Sequence, residues 1–286
     1  MKRILALCAA ALATLPVAAA RADDAQWCGA PPGWTAILPP LEHTAAQIAA
    51  GAPLTIVAVG SSSTVGIGAS GPEETYPYLL QAALRQRFPH LDIRVVNRGR
   101  SGEDAPEELA RLAADVVALR PTLAIWQVGT NAVLRRDDLR ADGEWMREGV
   151  ALLKKAGIDV VLMDLQYAPR VLDRSSWGVM EDLIADTADN ARVGLFRRFA
   201  LMRYWQSTHP ADAPAMIGPD GLHMTDIGYA CLARDLAAAL EANWQAETKL
   251  ARRPHSPGNA IAALPERGEN GPFPSAVRRI DAKPLN

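Results

Sequence analysis

Apolar residues along this chain follow two alternating rhythms. The first is a set of short, nearly unbroken runs. Leu54-Thr55-Ile56-Val57-Ala58-Val59 stops at Gly60, and similar runs occupy residues 93–96, 123–128 and 159–164, with a weaker one at 193–196. Runs of this length, rich in β-branched residues and ended by turn residues, predict strands covered on both faces. The second rhythm has helical spacing. It appears at 76–88 (Leu79, Leu80, Ala83, Leu84), at 106–119 (Leu109, Leu112, Val116, Leu119), and at 144–156, 177–191 and 226–247. Strands and helices that alternate in this way predict an α/β fold. The expected architecture is a three-layer α/β/α sandwich around a parallel sheet of about five strands.

The flanks break this pattern and set the domain plan. Lys2 and Arg3 precede an uncharged, Ala- and Leu-rich stretch over 4–20. Small residues then fit an A-x-A cleavage signal ending at Ala22, so residues 1–22 are expected to be a signal peptide. Residues 23–50, with Pro31-Pro32 and Pro39-Pro40, form an irregular N-terminal arm with a short helical stretch near 44–50. The core domain is expected over 51–248. Residues 249–286 carry six prolines (254, 257, 265, 272, 274, 284) among glycines and charges, and are expected to be a disordered tail. A net charge of −2 over 286 residues gives no reason to expect nucleic acid or an anionic membrane as partner. Export implies a periplasmic or secreted protein, with no stable membrane insertion once the leader is removed, and a monomer is assumed. Without the leader two cysteines remain, Cys28 and Cys231. In an oxidising compartment they could pair, tying the arm to the last helix, or remain two thiols with Cys231 buried.

In open parallel sheets, ligands bind beyond the carboxyl ends of the strands. Four polar segments are expected there: Gly60-Ser61-Ser62-Ser63 after the first strand, 97–103 after the second, Gly129-Thr130-Asn131-Ala132 after the third, and 218–223 after the last. Together they hold what acyl transfer requires. A serine hydroxyl needs a base, a histidine supplies it, and a carboxylate fixes the imidazole tautomer. Donors must also face the developing oxyanion. The Ser62 and Gly102 backbone N–H groups and the Asn131 amide are the candidates.

The same four segments resemble the signature blocks of the SGNH hydrolase superfamily, the GDSL esterases and lipases. Gly60-Ser61-Ser62 aligns with the G-D-S block, Asn97 to Gly102 with the glycine block, Asn131 with the G-x-N-D block, and Asp220 and His223 with D-x-x-H. The resemblance spans residues 54–246. It implies the flavodoxin-like SGNH fold and a cofactor-free, metal-free serine esterase. Ser62 is its nucleophile, His223 its base and Asp220 the orienting acid; Ser62, Gly102 and Asn131 form the oxyanion hole. Two positions depart from the pattern: Ser61 and Ala132 stand where the family has Asp. The neighbouring serines leave the nucleophile to alignment, which favours Ser62.

Other readings fit less well. Gly66, Gly68 and Gly71 match G-x-G-x-x-G with Asp92 about 20 residues on, but the strand ends at Gly60 and Pro72 precedes the next helix. An α/β-hydrolase elbow, G-x-S-x-G, would need glycine at Thr64. No further His or Cys set completes a metal site around Asp220 and His223. A non-catalytic carbohydrate-binding protein would use the same cleft without turnover. The expected substrate is a small-molecule or glycan ester with a short acyl chain, O-acetyl groups included; the alternative is a lysophospholipase or thioesterase. Tyr167, Arg170 and Trp177, after the fourth strand, are expected in the pocket wall.

Overall fold

The computed structural model describes residues 28–135 and 139–251. The expected signal peptide, the first five residues of the arm and the tail from residue 252 lie outside the described residues. The arm carries two helices, α1 (Pro32–Thr35) and α2 (Glu42–Ala49). The domain continues with β1 (Leu54–Gly60), α3 (Ser62–Val65), α4 (Tyr76–Arg87), β2 (Ile93–Gly99), α5 (Ala105–Asp115), β3 (Leu123–Gln127), α6 (Thr130–Arg135) and α7 (Leu139–Lys155). It closes with β4 (Asp159–Met163), α8 (Pro169–Leu172), α9 (Trp177–Ala191), β5 (Gly194–Phe196), α10 (Arg198–Thr208) and α11 (Asp226–Ala251).

All five strands pair in parallel in the order β2-β1-β3-β4-β5. Strand alternation divides the core. Leu54, Ile56 and Ala58 point to one face, with Tyr76, Leu80, Leu84 and the apolar side of α11. Val57 and Val59 point to the other, with Leu112 of α5, Met146 and Val150 of α7, and Met180 and Ile184 of α9. Two buried faces explain why the strands read as unbroken apolar runs. Among the described residues no helix is long and apolar enough to cross a membrane.

The arm is fastened to α11. Cys28 and Cys231 form a disulfide, with Cα atoms 5.8 Å apart, which resolves the alternative left open by the sequence. Asn243 adds a second clamp: its Oδ1 accepts from Leu41 N–H at 3.0 Å, and its Nδ2 donates to the Ile37 carbonyl at 2.9 Å and the Pro39 carbonyl at 3.1 Å. One expectation needs correction. The segment with Asp220 and His223 does not follow β5 directly. Helix α10 and a 3-10 turn over Ala213–Met216 intervene, and the segment is instead braced by an isolated antiparallel bridge between Ile217 and Met224 ahead of α11.

Candidate active site

The chain leaves β1 in one direction to reach β2 and returns past it to β3, so connections diverge on either side of β1. This topological switch point opens a crevice at the strand ends. Ser62 projects there as the first residue of α3. Gly60 makes the tight exit from β1 feasible: a Cβ on it would stand 2.6 Å from Thr64 Oγ1 and 2.7 Å from the Gln127 carbonyl. Of the three consecutive serines, Ser61 and Ser63 are buried and Ser62 lines the crevice.

His223 Nε2 lies 2.8 Å from Ser62 Oγ, and its Nδ1 lies 2.5 Å from Asp220 Oδ2. The other Asp220 oxygen accepts the Leu222 and His223 N–H groups at 3.0 Å each, so the three-residue spacing folds into a turn that aims the carboxylate at the ring. Partial burial disfavours the ionised carboxyl. The Leu222 N–H, the His223 ring and the His223 N–H together outweigh it and hold the Asp220 pKa below the ordinary carboxylate value. A hydroxyl, an imidazole and a carboxylate in this sequence can pass a proton from Ser62 to His223 with the ring tautomer fixed.

The crevice is an open cleft of about 580 Å³, lined by Ser62 and His223 and by Gly102 and Asn131. Gly102 adopts φ of +82° with nothing within 4 Å of where a Cβ would stand. The left-handed backbone, and not crowding within the chain, is what calls for glycine there. The Asn131 amide donates to the Glu103 carbonyl at 2.7 Å, tying the second and third blocks together, and Asn131 lines the cleft. Ile67, Leu134 and Leu222 add apolar walls that the sequence motifs did not announce.

Of the expected wall residues, only Arg170 lines the cleft. Tyr167 and Trp177 are corrected: Tyr167 meets Phe199 edge-on at 5.1 Å between ring centroids, and Trp177 stacks on Phe199 at 4.8 Å. Phe199 lies on α10, a helix the periodicity did not reveal. Packing aromatic area against it is more favourable than holding that area in water.

The two departures from the family pattern are absorbed locally. Ala132 is fully buried against α5, α7 and α9 side of the core, where a carboxylate would be unsolvated. Ser61 donates through both its backbone N–H and its hydroxyl to Gln127 Oε1, each at 3.0 Å. Thr64 Oγ1 reaches the same oxygen at 3.3 Å and Tyr76 Oη at 3.1 Å. Behind the second block, the buried Arg111 pairs with Glu103 at 2.5 Å and Asp115 at 3.0 Å, and donates to the Arg98 and Gly60 carbonyls at 2.7 and 3.2 Å. The third block is braced by Thr130 Oγ1 on Gln166 Oε1 at 3.0 Å, an oxygen that also accepts from the buried Arg198 at 2.9 Å. The glycine-rich segment after Ser62 has a structural role: Tyr229 Oη donates to the Ile67 carbonyl at 2.7 Å and Ser70 N–H to Asp226 at 2.8 Å, docking that loop against the start of α11. Among the described residues no group of three or more His, Cys, Asp or Glu side chains is placed to hold a metal ion.

Residues 27–246 match the model of the non-GDSL lipase-like family. The chain belongs to that family. The description fits the first block, where Ser61 replaces the Asp of G-D-S. An arylesterase of Vibrio mimicus is 27% identical over 151 residues, 53% of this chain and 70% of that protein. A two-domain esterase active on acetylated mannans superposes with a TM-score of 0.60 at 22% identity, over 72% of this chain. The present chain spans about half (53%) of that protein's length. An acetylxylan esterase from Geobacillus stearothermophilus superposes with a TM-score of 0.55 at 22% identity, over 67% of this chain and 95% of that one. The fold is thus that of the SGNH hydrolases, and the family together with its curated relative places the chain among hydrolases acting on ester bonds.

Proposed function

We propose that this protein is an exported serine esterase that cleaves short-chain acyl esters, O-acetyl groups on glycans included, through an acyl-enzyme on Ser62. The observation that carries the reading is the continuous relay from Ser62 Oγ to His223 Nε2 at 2.8 Å and from His223 Nδ1 to Asp220 at 2.5 Å, opening onto the cleft. As Ser62 Oγ attacks the ester carbonyl, His223 takes its proton and Asp220 steadies the imidazolium. The oxyanion is received by the Ser62 and Gly102 N–H groups and the Asn131 amide. His223 then protonates the departing alcohol, and water activated by the same ring releases the acid.

The open cleft has only Ile67, Leu134 and Leu222 as large apolar residues in its lining, which supports small acyl groups over long chains. Relatives named for acetylated mannan and acetylxylan support an acetylated glycan as the natural ester. The basic, apolar and small-residue order of residues 1–22 and the Cys28–Cys231 disulfide support an oxidising compartment, periplasmic or extracellular.

The test is hydrolysis of p-nitrophenyl acetate and a longer p-nitrophenyl ester beside Ser62→Ala and His223→Ala. Both variants are expected to fold and to lose about 10³-fold or more in kcat, with the acetate preferred by the native protein. Preference for the longer ester would point to a lipid hydrolase. A folded native protein inactive on both, yet retaining oligosaccharide, would be the carbohydrate-binding alternative.

A further inference from the structure

The mouth of the Ser62 cleft carries two arginines, and among the described residues no carboxylate lines it. The two differ in what they already hold. Arg135 donates to the Gly102 carbonyl and lies 3.6 Å from Glu107, so its charge is engaged on the oxyanion side. Arg170 stands beside the histidine. Its backbone N–H donates to the Gly221 carbonyl at 3.0 Å, and a Cβ on Gly221 would meet Arg170 Cγ at 3.6 Å, so its stem lies along the turn that carries Asp220 and His223. Arg170 is exposed, and among the described residues its guanidinium has no recorded ion-pair or hydrogen-bond partner. The nearest carboxylate on that turn, Asp220, is committed to the His223 ring and two backbone N–H groups.

The chemistry of the relay assigns a side to each half of the ester. The imidazole that receives the Ser62 proton must return it to the leaving oxygen, so the alcohol half lies over His223. Arg170 lines the cleft on the side of that turn. We propose that Arg170 selects esters whose alcohol half carries a carboxylate. The guanidinium fork matches a carboxylate in two parallel hydrogen bonds, and a single unengaged cation matches a monoanion. This rests on the esterase reading and names the substrate class within it.

The experiment compares kcat/KM of the full chain for 4-acetoxyphenylacetate and its neutral amide, 4-acetoxyphenylacetamide, which share a phenol leaving group. An exposed pair of this kind gives a preference for the anion of roughly fivefold. Arg170→Gln is expected to bring the ratio close to unity, Arg170→Lys to keep part of it, and about 0.5 M NaCl to compress it in the native protein. Ser62-dependent hydrolysis of both acetates at equal rates, or a preference that survives Arg170→Gln, overturns the inference and leaves the esterase reading standing. Hydrolysis of neither by the folded protein overturns both.

Discussion

Replacing Gln127 by methionine keeps the length of the side chain and removes the oxygen on which the Ser62 turn is hung. Three donors converge on that oxygen: Ser61 N–H and Ser61 Oγ at 3.0 Å and Thr64 Oγ1 at 3.3 Å. Thr64 keeps Tyr76 Oη as a partner at 3.1 Å, whereas both Ser61 groups lose theirs in a site where Ser61 is 3% and Gln127 1% exposed. Two newly unpaired buried donors cost about 1–3 kcal/mol each. Gln127 Nε2 is itself buried with no hydrogen-bond partner among the described residues, and its removal returns part of that cost. The expected net destabilisation is about 2 kcal/mol, read as a lower urea midpoint with unchanged m. Activity should suffer more than stability accounts for. A shift of about 1 Å at a nucleophile costs up to about 10²-fold, so kcat on p-nitrophenyl acetate is expected to fall by about 10–100-fold, with KM changing far less. Gln127→Glu restores an acceptor for the same donors at the cost of a buried acid. It should regain most of kcat while remaining destabilised, a split that a purely structural role would not produce. Activity of Gln127→Met within about twofold of the native protein, at the predicted loss of stability, would refute the positioning argument.

Asp220 and Glu108 carry further expected outcomes. Asp220→Asn retains an oxygen for the Leu222 and His223 N–H groups and so keeps the turn, but it no longer fixes the ring tautomer; kcat is expected to fall by about 10³-fold or more with little change in the thermal midpoint. Because the native Asp220 pKa lies below its ordinary value, the stability it contributes is present above about pH 4 and lost as pH falls through the native pKa; Asp220→Asn should remove that part of the acid dependence in pH-scanned unfolding. Glu108 behaves in the opposite sense. Burial raises its pKa to about 8, against a hydrogen bond from Trp126 Nε1 at 2.7 Å. Its contribution is full below the unfolded carboxyl value and lost as pH rises towards 8, so Glu108→Gln should gain stability relative to the native protein between pH 5 and 8. A constant difference across that range would contradict a neutral buried Glu108.

The sequence by itself determined the elements and the chemistry at their ends. Strand runs and helical spacing are local properties, so β1 to β5 and the helices α4, α5, α7, α9 and α11 were all legible, with 177–191 matched to the residue. Ser62, Gly102, Asn131, Asp220 and His223 could be named because they fall in four short segments, expected at strand ends, that resemble the SGNH signature blocks. Short helices were not legible. Four residues at α3 or six at α6 cannot repay nucleation alone and form only when packing holds them. Helix α10 was hidden because Arg198 stands on its apolar face, buried beside Phe199, Leu201, Met202 and Trp205 and donating to the Asp164 carbonyl at 2.6 Å. Partners distant in sequence were decided by the tertiary structure alone. Cys28 and Cys231 are 203 residues apart, Ser61 and Gln127 are 66 apart, and no local pattern links either pair. Phe199 drew Tyr167 and Trp177 out of the cleft by the same rule. Local periodicity records which face of an element is buried, whereas the identity of the group that covers it depends on strand order, and β1 lies between β2 and β3 only once the sheet has closed around it.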